Sequence, residues 1–427
     1  MIDLTNNNSN ATDRFVVQGD YIGHDGDLNL QTVLDSDDSP SDRLVIDGGQ
    51  AIGSTRLFVT NVGGLGALTL ANGIRVINAI NGATTTAGAF TLGGPVAAGP
   101  FEYLLFRGGM TPDVDNDNDW FLRNTVSPPP PPPPPGPPIP NVRPEVPGHV
   151  MAPFVAERMG LMTMGTFHQR RGDQSLLIGD GAWVYTAPEP QGADVPLDDY
   201  RPPAAMWGRI FGAESDLSTG ANVSVADFEI APSFDGRYWG LQAGSDLVGI
   251  EHDNGHVDRF GLFYTHAEAS GDISGNVLGG VQLRAGTLDL TEDSIVGYWT
   301  HLSPSGWYVD VVAKYAWLNG SSESDRGIGA DLDGNSIAAS VETGVPFRIA
   351  EGWTIEPQAQ LIWQRIDFDD TSDPFSEIRH EAFDSITGRL GARLKYRRDE
   401  LLAHLGANLW HGFSEGPSAV TFNTVPI

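Results

Sequence analysis

The chain reads as all-β: a β-solenoid, a proline-rich connector with a helix, and an antiparallel β-barrel. Three observations carry that expectation. Glycine and proline number 52 and 30 of 427 residues while long helical periodicities are scarce, the balance of a turn-rich β protein. Short period-two runs fill residues 1–126, and longer ones begin at Met206. Between them lies an unbroken proline run at 128–135, which neither a helix interior nor a sheet can absorb.

In the first unit, alternating runs at 26–34, 42–47, 56–62, 73–80 and 99–106 are separated by Gly-rich joints such as Gly63, Gly64 and Gly66. Stacked coils, each burying an inward apolar row against its neighbours, fit a spacing of about 15–25 residues. A β-sandwich gives the same strand spacing and stays open as the alternative.

The prolines that follow take the extended polyproline II form, a stiff spacer of roughly 40 Å at ~3.1 Å per residue. Residues 148–171 come next as a helix, with a proline-poor body from Phe154. About 20 helical residues cover ~30 Å, the thickness of bilayer hydrocarbon, so the helix either plugs a lumen or lies on a surface. Pro188, Pro190, Pro196, Pro202 and Pro203 mark 172–205 as a second linker.

From Met206 the alternating segments lengthen to about 10–14 residues. Residues 353–364 put Trp353, Ile355, Ala359, Leu361 and Trp363 on one face and Thr354, Glu356, Gln358, Gln360 and Gln364 on the other. Residues 307–317 group Trp307, Val309, Val311, Ala313, Tyr315 and Trp317. Residues 336–345 oppose Ile337, Ala339, Val341 and Val345 to Ser336, Ser340, Glu342 and Gly344. Residues 386–396 oppose Ile386, Leu390, Ala392, Leu394 and Tyr396 to Thr387, Arg389, Arg393 and Lys395. A soluble sandwich turns the apolar face inward, whereas a membrane barrel turns it to lipid and encloses the polar face. Trp307 with Trp317, and Trp353 with Trp363, stand at opposite ends of their segments, where interfacial girdles need them, and this favours the barrel. Asp310, Lys314, Glu342, Glu356, Arg389 and Arg393 then share the enclosed face. They are expected to line a hydrated lumen used for translocation, touching the helix or a passing chain.

Bulk properties narrow the partners. A formal net charge of −30 repels phosphate and argues against nucleic acid. Without cysteine, neither a disulfide framework nor a thiolate metal site is available. No apolar run reaches the ~18 residues of a spanning helix, a test that barrel strands escape. The polar start, Met1-Ile2-Asp3-Leu4-Thr5-Asn6-Asn7-Asn8, lacks the basic and apolar regions of a signal peptide.

With that order of parts, nearly the whole chain resembles the C-terminal region of an autotransporter (type V secretion) of the pertactin-like type. Residues 26–47, with Ser39-Pro40-Ser41-Asp42-Arg43-Leu44, and the stretch from 101–106 to 119–123 are similar to the last β-helix rungs of such passengers. Arg143-Pro144-Glu145-Val146-Pro147-Gly148 and Gly165-Thr166-Phe167-His168-Gln169-Arg170 resemble the family's approach into its barrel. Met206-Trp207-Gly208-Arg209-Ile210-Phe211-Gly212 resembles its first strand, and residues 353–359 a later one. The resemblance implies a right-handed β-solenoid passenger end with an autochaperone role over 1–126, a linker at 127–147, a lumenal helix at 148–171, a linker at 172–205 and a barrel at 206–427. It implies a bacterial outer-membrane protein that exports its own N-terminal passenger and displays it at the cell surface. Outer-membrane lipid, the protein's own passenger segment, the outer-membrane assembly machinery and periplasmic chaperones are the implied partners, with no cofactor. Barrels of the family have twelve strands and a terminal aromatic residue. About nine strands fall between Met206 and Phe413, so a piece truncated at both ends is expected. The absence of Asn between Asn141 and Asn222 argues against the family's asparagine-dependent self-cleavage.

Other chemistry has thin support. The acidic run 113–119 places oxygens at alternate positions, but the sixth-position Gly and twelfth-position Glu of a calcium loop are missing, so a solvated turn is expected. Asp35, Asp37, Asp38, Asp42 and Asp47 would suit a polysaccharide-cleaving solenoid, yet Asp is also the usual turn residue. Glu342 and Glu356 could pair for acid–base work, but no nucleophile elbow, phosphate loop or His-Glu-x-x-His occurs and the histidines are scattered. A non-enzyme is expected. The alternative from another class is a secreted or surface adhesive protein with two soluble β domains.

Overall fold

The computed structural model describes the chain except residues 7–8, 111–115, 127–138, 172–205, 224–227, 399–400, 414–419 and 427. The proline run, the 172–205 linker and part of the acidic run 113–119 lie outside the described residues.

In the first half, β1 (Arg14–Gln18), β3 (Arg43–Asp47) and β5 (Ile74–Ile80) stack in parallel, with Phe15 opposite Leu44 and Leu44 opposite Ile77. A second parallel ladder joins β2 (Tyr21–Thr32) to β4 (Gln50–Asn61), with Leu28 opposite Leu57. One coil therefore takes about thirty residues and lays apolar rows on one another. Parallel pairing of successive coils is solenoid geometry, since sandwich strands pair antiparallel. Leu28, Leu30, Leu44, Ile46, Leu57, Ile74 and Val76 are buried in its core. At the far end the direction reverses. β6 (Trp120–Arg123) lies antiparallel on β5, and Leu104–Arg107 antiparallel on β6, which covers an otherwise open edge.

The acidic residues of this half are staples between coils. Asp37 accepts the amides of Leu70 at 2.7 Å, Ala71 at 3.0 Å and Gly73 at 2.6 Å. Asp42 accepts those of Asp13 at 2.8 Å and Gln31 at 2.9 Å. Asp119 accepts from Ala79 at 2.6 Å and pairs with Arg75. Each carboxylate satisfies buried or turn amides that would otherwise lack partners.

The connector leads into α1 (Val146–Met164) and a short α2 (Phe167–Arg171). Around them curls one antiparallel sheet whose long strands are β7 (Met206–Ser218), β8 (Ser233–Glu251), β9 (Val257–Gly275), β10 (Leu283–Leu302), β11 (Tyr308–Ser324), β12 (Gly334–Gly344) and β13 (Trp353–Phe368). After a short β14 (Glu377–His380) come β15 (Phe383–Arg398) and β16 (Leu401–Gly412). The nine long strands run β7-β8-β9-β10-β11-β12-β13-β15-β16, each antiparallel to the next, and β7 and β16 do not pair among the described residues. The turns at 252–256 and 303–307 are short. Connections at 219–232, 276–282, 325–333 and 369–382 are longer, and they meet the start of α1, as where the Leu278 amide donates to the Val142 carbonyl at 2.8 Å. Short turns at one rim and long loops at the other are the habit of transmembrane barrels. No helix among the described residues is long and apolar enough to cross a membrane.

The faces divide as the alternation requires over the inner half of the sheet. Val341, Leu361, Trp317, Trp353 and Trp363 point outward and are exposed, while Asp310, Lys314, Glu342 and Glu356 point inward and are buried. From Trp353 to Trp363 the strand rises about 33 Å along its length, or ~25 Å at a ~40° tilt, the height of an apolar band in such barrels.

Three expectations need correction. The enclosed face is not polar throughout. Toward the long-loop rim Phe234, Tyr238, Ala269, Ile273, Leu288, Leu290 and Leu318 point inward onto α1, while Ser270, Asp272 and Asp289 point outward. The pattern changes phase because this part of the outside meets water and the apolar helix fills the inside. Second, β8, β9 and β10 run to 19, 19 and 20 residues, longer than the alternation suggested, because they continue beyond the apolar band. Third, the helix begins at Val146 and contains Pro147 and Pro153, then breaks before α2. Pro147 falls in the first turn, where proline is well tolerated. Burial of Val146, Val150 and Met151 outweighs the ~3 kcal/mol an interior proline costs.

β17 (Val420–Phe422) pairs antiparallel with β14, and Ile378, Val420 and Phe422 share a core with Val146 and Val150, so a small sheet covers the outer end of α1.

One glycine in the solenoid is sharply constrained. Gly53 sits at φ +87 against Gly23 of the adjacent coil, and a Cβ there would collide with the Gly23 carbonyl oxygen. Gly53→Ala should lower the solenoid's stability by about 2 kcal/mol or more. Thermal unfolding of the full chain followed by circular dichroism will show that transition displaced downward by several degrees. Gly26→Ala, where a Cβ meets nothing within 4 Å, should leave it in place.

Candidate functional site

The interior of the curled sheet is occupied by α1, which is buried on nearly every side: Val146, Val150, Met151, Val155, Ala156, Met159 and Met164 all belong to the core. A helix apolar all round must be wrapped rather than merely docked. Phe154, Glu157, Arg158, Leu161 and Met162, grouped along one helical stripe, are its less covered residues. Small residues let the wall come close. A Cβ on Gly160 would strike the Gln364 side chain, which donates at 3.4 Å to the Glu157 carbonyl.

The character changes at the last turn of α1, where the helix leaves carbonyls without intrahelical partners. Side chains of the wall reach in to meet them. Gln242 donates to the Thr163 carbonyl at 2.6 Å and Gln360 to that of Gly165 at 2.9 Å, and Arg209 approaches the Met162 carbonyl at 3.4 Å. Lys314 donates to Thr163 Oγ1 at 2.9 Å and to Glu292 at 2.8 Å, with both charged side chains buried.

Around α2 the wall is denser in charge. Arg170 forms an ion pair with Asp310, whose other oxygen accepts from Thr300 at 2.6 Å. Glu342 accepts the Phe167 amide at 2.9 Å and the Tyr308 hydroxyl at 2.6 Å, and pairs with Arg389 at 2.9 Å. Arg389 also donates to Gln360 at 2.9 Å, Gln358 at 3.0 Å and Asn408 at 2.7 Å. Glu356 meets His168 at 2.6 Å and Lys395 at 2.6 Å. Beside them a cavity of about 370 Å³ is lined by Thr166, His168, Gln358, Arg389, Arg393 and Asn408.

The structure thus places all six sequence-singled residues on the enclosed face. Asp310 and Glu356 bond α2, Glu342 bonds its first amide, Lys314 bonds α1, and Arg389 acts through Glu342 and Gln360. Arg393 faces the cavity, opposite Glu356 in the β13–β15 register. Glu342 and Glu356 do not form a carboxylate pair for acid–base work, because each is held by its own cation. Among the described residues no group of three or more His, Asp or Glu side chains is arranged to hold a metal. Sequence reasoning missed Glu292, Gln242, Arg209 and Tyr308. Glu292 was hidden by its neighbour Asp293, since two adjacent acids blur a period of two. Its row with Ser294 and Thr300 was the available signal.

Lys314→Met should strand the Glu292 carboxylate in a dry wall at a cost of about 3–5 kcal/mol, and adding Glu292→Gln should recover much of it. The temperature at which folded and unfolded barrel separate on electrophoresis checks this. A single-variant loss no larger than that of the double would contradict it.

Comparison with known proteins follows the same division of the chain. A family model described as the autotransporter beta-domain matches residues 206–425, and one described as autochaperone domain type 1 matches residues 1–105. The chain is 31% identical to the adhesin BmaC autotransporter of Brucella suis biovar 1 (strain 1330), over 96% of this chain and 12% of that protein. It is 30% identical to the uncharacterized protein YdeU of Escherichia coli (strain K12), over 88% of this chain and 78% of that one. Among solved structures, the beta domain of the Bordetella autotransporter Brka aligns with a TM-score of 0.38 and 20% identity, over 51% of this chain and 83% of that chain. The chain spans about an eighth of the Brucella relative's length.

Proposed function

The chain belongs to the autotransporter family, with the outer-membrane β-domain in its second half, and from that premise we propose that it exports its own N-terminal passenger and displays it at the cell surface. The observation that carries this reading is a single chain running from the solenoid through α1 inside the curled sheet, with the long loops of the sheet gathered at the solenoid's side. A polypeptide so placed is the expected end state of a chain that crossed its own lumen.

In this reading residues 1–126 are the passenger end with an autochaperone role, 127–147 and 172–205 are linkers, 148–171 is the lumenal segment and 206–427 the barrel. Asp310, Lys314, Glu342, Glu356, Arg389 and Arg393 line the path and hold the segment once it stops. The working partners are outer-membrane lipid, the passenger itself, the assembly machinery and periplasmic chaperones. This reading assigns no catalytic role: of the carboxylates a polysaccharide-cleaving solenoid could use, Asp37 and Asp42 are engaged by backbone amides.

Transport driven without nucleotide needs a sink on the far side. Folding of the solenoid supplies one, as each added coil buries apolar surface worth roughly 25 cal/mol per Å². A chain without cysteine suits the passage, since no disulfide-closed loop can widen it. Deleting residues 26–126 should therefore cut surface display several-fold at equal barrel abundance, measured by protease shaving of intact cells. Undiminished display would reject folding as the driving step.

A further inference from the structure

At the long-loop rim five charged side chains meet away from the lumen network. Arg143, just ahead of α1, is fully buried. Its Nε donates to the Gly99 carbonyl at 2.6 Å, its amide to that of Pro100 at 3.0 Å, Nη1 to Glu145 and Asp373, and Nη2 to Ser376. Arg326, on the connection after β11, donates to Glu102 at 2.7 Å and to both oxygens of Glu145 at 2.8 and 2.9 Å. The Phe375 ring centroid lies 5.5 Å from the Arg143 guanidinium and 5.6 Å from that of Arg326. Burial pushes the Glu102 carboxyl up in spite of Arg326. It pushes Glu145 the same way, but there Arg326 and Arg143 prevail and hold the group below its ordinary range.

These groups come from three stretches far apart in sequence: the solenoid end (Gly99, Glu102), the approach to α1 (Arg143, Glu145) and the sheet's outer connections (Arg326, Asp373, Ser376). Two cations serve three carboxylates: withdrawing the approach to α1 or the outer connections leaves a carboxylate without its cation, and withdrawing the solenoid end takes the Gly99 carbonyl from Arg143 and Glu102 from Arg326. Such clusters define a register better than they add stability. We propose that this cluster is a docking interface, specific for the chain's own solenoid end, which assembles after export and fixes where the passenger stops on the barrel. The inference rests on the export reading, because the cluster closes only when the solenoid end and Arg143 have both reached the outer mouth.

Two variants made in the full chain, Arg326→Ala and Asp373→Asn, test it, each touching a different connection of the sheet. Display is read by protease shaving of cells, and amide exchange at Glu102, Asn141 and Arg143 is read on the purified protein. Display should stay at the wild-type level. Exchange at all three amides should rise at least about tenfold in either variant, with the double variant adding little, as expected of one cooperative unit. Unchanged exchange, or a rise confined to one of the three amides, would overturn the interface. So would loss of display, because the interface is placed after export. Failure of the export reading itself would appear separately, as wild-type cells that do not display residues 1–126.

Discussion

The structure depends on one packing constraint: α1 is apolar around nearly its whole circumference and has to be enclosed. Burying Val146, Val150, Met151, Val155, Met159 and Met164 yields about 1.5–3 kcal/mol per side chain, together more than any single polar contact in the wall. The sheet supplies the enclosure by curling, and its inward rows are chosen to suit what they touch. Leu288, Leu290, Ala269 and Ile273 meet the apolar turns. Where the helix ends and leaves carbonyls over, Gln242, Gln360 and Lys314 replace them. The charged wall around α2 is thus a consequence of helix termination inside the curled sheet.

The outside of the same sheet answers a different solvent. Along β11 the outward residues read Val309, Val311, Ala313, Tyr315 and Trp317, then Asn319, Ser321 and Glu323. The aromatic pair marks the crossing from lipid to water, and past it the outward face turns polar, while inward Leu318, like Leu288 and Leu290 of β10, packs in the core with α1. A strand can serve both environments because its two faces are independent at every residue. This change also explains the length of β8 to β10 and the merging of their outer parts with the small sheet of β14 and β17 into one core with α1.

Legibility followed how strictly each segment alternates. Residues 353–364 and 336–345 declare their faces, and the fold keeps Leu361 and Val341 outside and Glu356 and Glu342 inside. β10 did not, because Glu292 and Asp293 point opposite ways and its inward row mixes Leu288 and Leu290 with Ser294 and Thr300. The helix start was obscured by Pro147 and Pro153, which argue locally against a helix that tertiary burial nevertheless imposes. Solenoid or sandwich was undecidable from spacing. The parallel register of Leu28 with Leu57 requires knowing which strands pair, and no local pattern records that. The ion cluster at Arg143 was invisible for the same reason, as its members lie more than two hundred residues apart.

Which solvent each outward residue meets decides whether this sheet spans a membrane, and a chain without cysteine allows that to be read one site at a time. Leu361→Cys and Asp272→Cys, each in the otherwise unchanged protein in native outer membranes, would be exposed to a membrane-impermeant maleimide. Labelling should be rapid at 272 and almost absent at 361 until the bilayer is dissolved. Equal labelling of both sites in intact membranes would contradict a membrane-spanning sheet.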